Sequence, residues 1–220
     1  MTQDYVIAPE TLIQAYTLGV FPMAEDANST EMHFYEPEIR GVLPLDPPHI
    51  PKRLLRTVKQ QPYEIRWNTN FTSVIDACSE ATPDRPTTWI NAEIRKLFIA
   101  LHHLGFAHSV EVYEDTQLIG GLYGLRIGSA FFGESMFSRK TNASKIALCH
   151  LIGRLIHCDM KLLDAQFSNT HLMQFGLIEM PRDRFQSKLQ TAISQSANLQ
   201  FRVTEDVIID TLIQAVAKTS

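Results

Sequence analysis

The chain has 220 residues, of which 45% are hydrophobic and 20% charged, and its formal net charge is −4. This composition is typical of a soluble globular protein with a sizeable core, and the acidic balance excludes nucleic-acid binding over the whole surface. The apolar runs are shorter than the roughly 18 residues of a membrane helix, and residues 1–5 lack the features of a signal peptide. The three cysteines are far from any CxxC spacing. We therefore expect a cytoplasmic protein with reduced thiols that contacts no membrane.

The first 40 residues predict a small N-terminal lobe. Residues 9–18 have the apolar spacing of a short helix that ends at Gly19, and residues 20–24 follow as an extended apolar segment. Five prolines between residues 32 and 51 favour an extended chain with little helix. We place a domain boundary near residue 40, which divides the chain into residues 1–40 and 41–220.

The main domain is predicted to alternate helices with strands. Three apolar, alternating stretches in its centre, joined by short turns, predict an antiparallel meander over residues 108–114, 117–127 and 129–138. The next helix is expected to be capped by Thr141 or Asn142. Helical spacing or β-alternation predicts helices over residues 51–60, 70–79, 91–104, 143–158, 170–175, 181–189 and 205–217, strands over 63–68 and 161–167, and an extended piece over 177–180. This order predicts an α+β fold.

Glu134 is the most informative residue of the sequence. It lies between an apolar run, residues 129–132, and a segment that carries Arg139, Lys140 and Lys145. An acid at the mouth of an apolar segment suits a ligand with an apolar side chain, a positive amine and a polyanionic tail, as in an aminoacyl-tRNA. The alternative is a strand that runs into a helix with Glu134 simply solvated.

The helix at residues 51–60 carries four cations. Lys52, Arg56 and Lys59 have the spacing that places them on one face, and Arg53 lies beside them. Like charges on one helix face cost about 0.2–0.5 kcal/mol per pair, a cost that a bound polyanion would offset. The alternative is a solvated basic face.

Asp164 and Gln166 are two residues apart in a predicted strand, so both side chains are expected on the same face of the sheet. They are either a reactive pair or a structural hydrogen-bond pair, since buried polar groups need partners. Trp89 precedes a helix, where it could stack on a nucleobase or anchor the core.

Several familiar sites are disfavoured. The eight histidines do not occur with acids at metal-ligand spacing, so we expect no metal site. Residues 133–137 lack the final glycine of a nucleophile elbow, which argues against a hydrolase that uses Ser135. The glycines of residues 120–124 lie within a strand pattern and predict a bulge or a close backbone approach instead of a phosphate loop.

As a set, several segments closely resemble the leucyl/phenylalanyl-tRNA–protein transferases of bacteria, in that family's order and over nearly the whole chain. They are AYTLGVFP (residues 15–22), RGVL (40–43), TWI (88–90), HSVEV (108–112), GGLYG (120–124), GESMFS (133–138), ASK (143–145), LDAQ (163–166) and His171. The resemblance implies transfer of Leu or Phe, with Met as a further candidate donor, from tRNA to the N-terminal amine of proteins that begin with Arg or Lys. It further implies a role in N-end-rule degradation, and we expect no cofactor.

The resemblance also implies a fold and roles for residues. The main domain would be GNAT-like (N-acetyltransferase-like), with a mixed, mostly antiparallel sheet. Asp164 and Gln166 would be the catalytic pair, and Trp89 would stack on the terminal adenosine. The resemblance implies that the aminoacyl pocket is formed by Glu134, Leu122, Phe131, Met136, Leu148 and Leu151. It implies that the tRNA acceptor stem is bound by Lys52, Arg56 and Lys59.

The sequence departs from the family pattern at two positions outside these segments, and also in its short N-terminal lobe and its unusual tail after Phe201. Met23 stands where many members have a tryptophan, which weakens one stacking contact in the adenosine site, and Gln60 replaces a common basic residue. Two alternatives remain at this point, an acyl-CoA-dependent N-acetyltransferase and a non-catalytic tRNA-binding module. The first is expected to have a glycine-containing pyrophosphate loop, and residues 138–143 contain no glycine.

Overall fold

The computed structural model describes residues 7–82 and 86–218, so residues 1–5, which bear on targeting, lie outside the described residues. The helices are α1 (Pro9–Thr17), α2 (Lys52–Lys59), α3 (Phe71–Ser79), α4 (Ala92–His103), α5 (Ala143–His157), α6 (Thr170–Met173), α7 (Arg182–Ile193) and α8 (Glu205–Ala217). The strands are β1 (Phe21–Met23), β2 (His33–Tyr35), β3 (Ile39–Leu43), β4 (Glu64–Trp67), β5 (Ala107–Glu114), β6 (Gln117–Ile127), β7 (Ala130–Ser138), β8 (Leu162–Gln166) and β9 (Ile178–Pro181). In the described part of the chain, no helix combines the length and apolar character needed to cross a membrane.

Seven of the strands form one sheet in the order β4-β5-β6-β7-β8-β3-β9. The meander β5-β6-β7 is antiparallel, as predicted, and only the β7–β8 pair is parallel among the pairings of this sheet. The α+β class and the mixed, mostly antiparallel sheet are therefore confirmed. This arrangement is consistent with the GNAT-like expectation.

Apolar side chains of the sheet alternate between two buried clusters, one on each face. Phe131 belongs to the cluster beneath α2, α5 and α8, and its neighbour Phe132 belongs to the cluster beneath α1, α3, α4 and α7. The N-terminal helix α1 thus packs into a core shared with the main domain. The boundary placed near residue 40 falls inside β3, and it stays a prediction.

Strands β7 and β8 diverge after a short parallel contact. Their pairing runs from Ala130 opposite Leu162 to Phe132 opposite Asp164. Beyond this point β7 continues along β6, and β8 continues along β3. A cleft therefore opens in the middle of the sheet, directly after Phe132 and Asp164.

The start of α5 agrees with the prediction in the position of its cap, but not in the group that provides the capping hydrogen bond. Asn142 occupies the cap position in a left-handed conformation, with φ of 66°, and its side chain makes no cap hydrogen bond. The Ser138 hydroxyl accepts the hydrogen bond from the Ser144 N–H instead, at 3.2 Å. The cap thus comes from the end of β7, which ties the helix to the strand beside the cleft.

The prediction that residues 120–124 allow bulges and close backbone approach is confirmed. The register of β6 shifts against β7 next to Gly124, and a Cβ atom on Gly120 would lie 2.5 Å from the Cβ of Ala143. Because such a distance is well below van der Waals contact, Gly120 allows α5 to pack directly on the sheet.

Gly120→Ala is expected to lower the free energy of unfolding by about 1–3 kcal/mol, because α5 must shift away from β6. Gly133→Ala is a matched control, since its new Cβ would have the carbonyl oxygen of Asp164 as its nearest neighbour, at 3.5 Å. Urea denaturation of both variants measures the difference, and equal losses would contradict the close-approach explanation.

Candidate active site

A cavity of about 730 Å³ occupies the cleft between β7 and β8. Its wall is largely apolar, and its polar groups include Glu134, in the middle of β7, and Asp164 and Gln166 of β8. It is lined by residues 133–138 of β7, residues 163–166 of β8, residues 169–172 and Leu43, Leu122, Tyr123, Ser144, Leu148 and Leu151. The cavity therefore has the shape and polarity to take an apolar side chain with a polar group at one end.

Glu134 lies on the cavity wall, where two side chains donate hydrogen bonds to the same carboxylate oxygen. The Tyr16 hydroxyl donates to Oε1 at 2.7 Å, and Nε2 of Gln166 donates to it at 2.9 Å. Burial raises the pKa of Glu134 to about 8, and the charge of Asp164 acts in the same direction. Burial, followed by the neighbouring Glu134, raises the pKa of Tyr16, so this phenol remains protonated and can donate.

Asp164 borders the cavity but has no exposed surface. Arg40 binds it with two parallel hydrogen bonds, from Nε to Oδ1 at 2.9 Å and from Nη2 to Oδ2 at 2.7 Å. Oδ1 also accepts the backbone N–H of Gln166 at 2.9 Å. The predicted neighbours Asp164 and Gln166 are thus brought together, but the carboxylate contacts the backbone of Gln166 and not its amide side chain.

Met23 and Trp89 line a second recess of about 180 Å³. This recess shares Glu134, Ala165, Gln166 and Asn169 with the main cavity, and Phe21 and Phe167 complete it. Trp89 is partly buried and packs against the core. It therefore anchors the core on one side and lines the recess on the other. The two residues predicted to meet the adenosine therefore lie next to the predicted aminoacyl pocket.

Four of the five apolar residues predicted for the aminoacyl pocket line the cavity: Leu122, Met136, Leu148 and Leu151. Phe131 does not. It is fully buried, and it lies where β7 and β8 are still paired, before the cleft opens. Its side chain belongs to the core cluster that also contains Leu122, Leu148 and Leu151, so it supports the wall from behind.

The predicted cations lie outside the cavity. Lys52, Arg53, Arg56 and Lys59 are exposed on α2, whose Leu54 and Val58 are buried in the same cluster as the cavity-lining residues of α5. None of these cations takes part in the ion pairs found among the described residues.

The three cations that follow Glu134 in the sequence separate in the structure. Arg139 pairs with Glu80, and Lys140 pairs with Glu114, both at the surface. Lys145 lies near His171 of the cavity wall, since burial and then the charge of Lys145 lower the pKa of that histidine. Of these three cations, Lys145 is therefore the one that adds a positive charge close to the cavity.

Sequence reasoning missed several residues of the site. Tyr16 and Arg40 stand out because they contact Glu134 and Asp164 from more than 100 positions away in the chain. The only available signal was their place in the segments AYTLGVFP and RGVL. The other lining residues that were not predicted as part of the site come from β3, β6, β7, β8, α5, α6 and the turn before α6: Leu43, Tyr123, Gly133, Ser135, Phe137, Ser138, Ser144, Leu163, Ala165, Asn169, Thr170, His171 and Leu172.

The fold and the site together define a class of protein. An apolar cavity that ends at a carboxylate and an amide, and that joins a recess beside a tryptophan, is suited to an enzyme that transfers an acyl group bearing an amine. No group of three or more His, Cys, Asp or Glu side chains within residues 7–82 and 86–218 is arranged to bind a metal ion.

Comparison with known proteins makes this class specific. The sequence model for leucyl/phenylalanyl-tRNA protein transferase matches residues 42–190, and the model for the N-terminal domain of the same proteins matches residues 6–38. A leucyl/phenylalanyl-tRNA–protein transferase of Hyphomonas neptunium is 55% identical over 190 residues, which cover 86% of this chain and 74% of the relative. One of Paramagnetospirillum magneticum is 50% identical over 191 residues, which cover 87% of this chain and 91% of the relative. The chain therefore belongs to the leucyl/phenylalanyl-tRNA protein transferase family and is an aminoacyltransferase.

Proposed function

We propose that the protein transfers Leu or Phe, with Met as a third candidate donor, from aminoacyl-tRNA to the N-terminal amine of an acceptor protein. The observation that carries the proposal is the junction of the apolar cavity and the Trp89 recess at Glu134 and Gln166. A single aminoacyl-adenosine end can place its side chain in the cavity and its base in the recess, with the ester between them.

Glu134 is the proposed partner of the amino group of the donor. Its Oε1 is occupied by Tyr16 and Gln166, whereas Oε2 has no hydrogen-bond donor among the described residues. A bound ammonium group lowers the pKa of a neighbouring carboxyl group, so donor binding favours the ionised form of Glu134. The charge at the mouth of the cavity thereby selects a donor that has both an apolar side chain and a free amine.

Gln166 is the proposed contact of the attacking amine. Its Nε2 is used by Glu134, which leaves the amide oxygen to accept a hydrogen bond from the incoming amine. The aminoacyl ester is already activated, and an N-terminal amine with a pKa near 8 is partly neutral at cellular pH. Positioning and charge stabilisation are therefore sufficient, without a covalent enzyme intermediate.

The transfer step forms one bond and breaks one. The neutral amine attacks the ester carbonyl carbon, the bond between that carbon and the ribose 3′-oxygen breaks, and a peptide bond remains. The amine loses one proton, and the leaving 3′-oxygen gains it through the neighbouring 2′-hydroxyl group. Asp164 takes no part in this proton transfer, since Arg40 and the backbone of Gln166 occupy its oxygens.

The preference for acceptors that begin with Arg or Lys, and the role in N-end-rule degradation, are proposed from the family resemblance. The decisive experiment incubates the protein with Leu-tRNA and a peptide that begins with Arg, then measures the peptide mass. We expect the addition of one Leu residue, and no addition to a matched peptide that begins with Glu. An unmodified Arg peptide in the presence of intact Leu-tRNA would contradict the proposal.

The two alternatives lose their support with the family assignment. An acyl-CoA-dependent acetyltransferase would acetylate the same peptide from acetyl-CoA, and a non-catalytic module would bind charged tRNA without modifying the peptide. Acetyl-CoA added to the same incubation would reveal the first alternative by the mass of an acetyl group, and an unmodified peptide together with bound charged tRNA would identify the second.

Helix α2 is the proposed contact for the tRNA acceptor stem, since Lys52, Arg56 and Lys59 are exposed on it. The double variant Lys52→Ala/Arg56→Ala is expected to weaken tRNA binding about 10-fold at 0.1 M salt and to reduce the salt slope by about 2. Lys96→Ala is the matched control, because Lys96 is exposed on α4, a helix of the opposite face of the sheet. An equal effect of both variants in a filter-binding titration would contradict this role of α2.

A further inference from the structure

Arg40 is a charged side chain enclosed in the core next to the candidate active site. It is 1% exposed, and its guanidinium lies 4.5 Å from the ring centres of both Phe21 and Phe185. Two nitrogens bind Asp164, and the third, Nη1, donates to the carbonyl oxygen of Gly19 at 2.8 Å. A buried ion pair is a weak source of net stability, because apolar side chains could fill the same space. The importance of the Arg40 hydrogen bonds therefore lies in the groups that they hold in position.

Arg40 is connected to Gln166 through Asp164. Asp164, fixed by the guanidinium, accepts the backbone N–H of Gln166 at 2.9 Å. Gln166 has a left-handed backbone, with φ of 56°, which is uncommon for a residue other than glycine. In this conformation its Nε2 reaches Oε1 of Glu134. The bond from Asp164 therefore stabilises the backbone conformation that aims the Gln166 amide.

Arg40 is connected to Tyr16 through the turn that contains Gly19. The Gly19 carbonyl that Arg40 binds belongs to the turn that ends α1, and the N–H of Gly19 donates to the carbonyl oxygen of Tyr16 at 3.0 Å. The Tyr16 hydroxyl donates to the same oxygen of Glu134 that Gln166 contacts. Both donors to Glu134 thus come from segments that Arg40 joins.

We propose that Arg40 is a positioning residue for aminoacyl transfer, which holds the Gly19 turn and Asp164 so that Tyr16 and Gln166 converge on Glu134. This inference rests on the proposed function. With Oε1 held on both sides, Oε2 of Glu134 faces the donor, and the Gln166 amide oxygen faces the attacking amine. Asp164 acts through the backbone of Gln166 and is likewise a positioning residue.

Arg40→Lys tests the proposal, because an ammonium group keeps the charge but cannot reproduce the planar fork that spans Asp164 and Gly19. A misplacement near 1 Å is enough to reduce turnover by about 100-fold. We expect kcat to fall by about that factor, while KM for Leu-tRNA changes less than about twofold. Leu189→Ala is the control for stability, because it removes buried packing from α7 and has no hydrogen bond to the site.

A double-variant cycle separates positioning from a general structural role. Gln166→Asn introduces a residue that tolerates the left-handed backbone. Its side chain is one methylene group shorter, so the contact of the amide with Glu134 is lost, and the cycle measures the coupling to Arg40. If Arg40 acts through Gln166, adding Arg40→Lys to this variant lowers kcat by less than about threefold. Independent, multiplied effects would overturn the proposal, as would an equal fall in kcat for a Leu189→Ala variant of the same Tm.

If Arg40→Lys does not fold, Asp164→Asn supplies the same cycle, since it keeps the side-chain shape and weakens the same pairing. These outcomes are distinct from failure of the proposed function. Wild-type protein that transfers no Leu contradicts the function itself, whereas active wild-type protein with multiplied variant effects contradicts only the role of Arg40.

Discussion

Glu134→Gln is expected to lower kcat/KM for Leu-tRNA by about 10- to 100-fold, the effect of removing the charge from one ionic hydrogen bond. The glutamine oxygen still accepts from Tyr16 and Gln166, so the two donors keep their places. What disappears is the negative charge that faces the donor ammonium group. Single-turnover kinetics with Leu-tRNA and an Arg peptide measure the loss.

The same substitution changes the pH dependence of stability. An unfolded glutamate titrates near 4.3, whereas burial raises the pKa of Glu134 to about 8 in the folded protein. Between these values the folded state retains a proton that the unfolded state has lost, so the free energy of unfolding falls as pH rises. The slope from this group reaches at most about 1.4 kcal/mol per pH unit. Below about pH 4, and well above pH 8, the contribution is constant.

Urea denaturation at several pH values between about 5 and 9 tests this linkage. The stability of Glu134→Gln relative to wild type should increase through that range, because the glutamine does not titrate. Glu10→Gln is a suitable control, since Glu10 is exposed on α1, the helix that also carries Tyr16. A constant difference between wild type and Glu134→Gln would contradict the raised pKa.

Much of the fold was predictable because its signals are local. The alternation over residues 108–138 predicted the meander, and helical spacing placed α2, α4, α5 and α8 within one or two residues. Asn142 occupies the predicted cap position, but its left-handed conformation is accompanied by no side-chain cap bond, and Ser138, from the preceding strand, supplies the bond instead. Local preference gives way where another segment provides the partner.

The candidate site was predictable in part, for reasons that its geometry makes clear. Glu134 lies in the middle of β7, and Asp164 and Gln166 lie in β8. Strand alternation predicted that Asp164 and Gln166 share a face of the sheet, but it left open whether they are a reactive or a structural pair. Phe131 was wrongly predicted to line the pocket because the sequence does not show where β7 and β8 separate. The two strands are still paired at Phe131. The contacts of Arg40 and Tyr16 depend on how distant segments pack, and only the resemblance drew attention to their segments.

Asp164→Ala is expected to lower the free energy of unfolding by about 3–5 kcal/mol, because it leaves the buried guanidinium of Arg40 without its counter-charge. The double variant Arg40→Met/Asp164→Leu should be less destabilised than Asp164→Ala, since neither side chain is then charged. Asp159→Asn is the control, because asparagine removes the charge and tolerates the left-handed backbone of this residue, with φ of 55°. Asp159 pairs with Lys161 at the surface, where such a pair contributes about 0–1 kcal/mol.

Activity should separate these variants further. Asp164→Ala that is folded at low temperature is expected to bind tRNA like wild type, because α2 is unchanged, and to show a strongly reduced kcat, because Gln166 loses the bond that fixes its backbone. The double variant should recover stability without recovering kcat. If Asp164→Ala and Asp159→Asn lose the same small amount of stability, the ion pair of Arg40 and Asp164 is not the structural link between β3 and β8. If the double variant regains full turnover, Gln166 is aimed without help from Asp164.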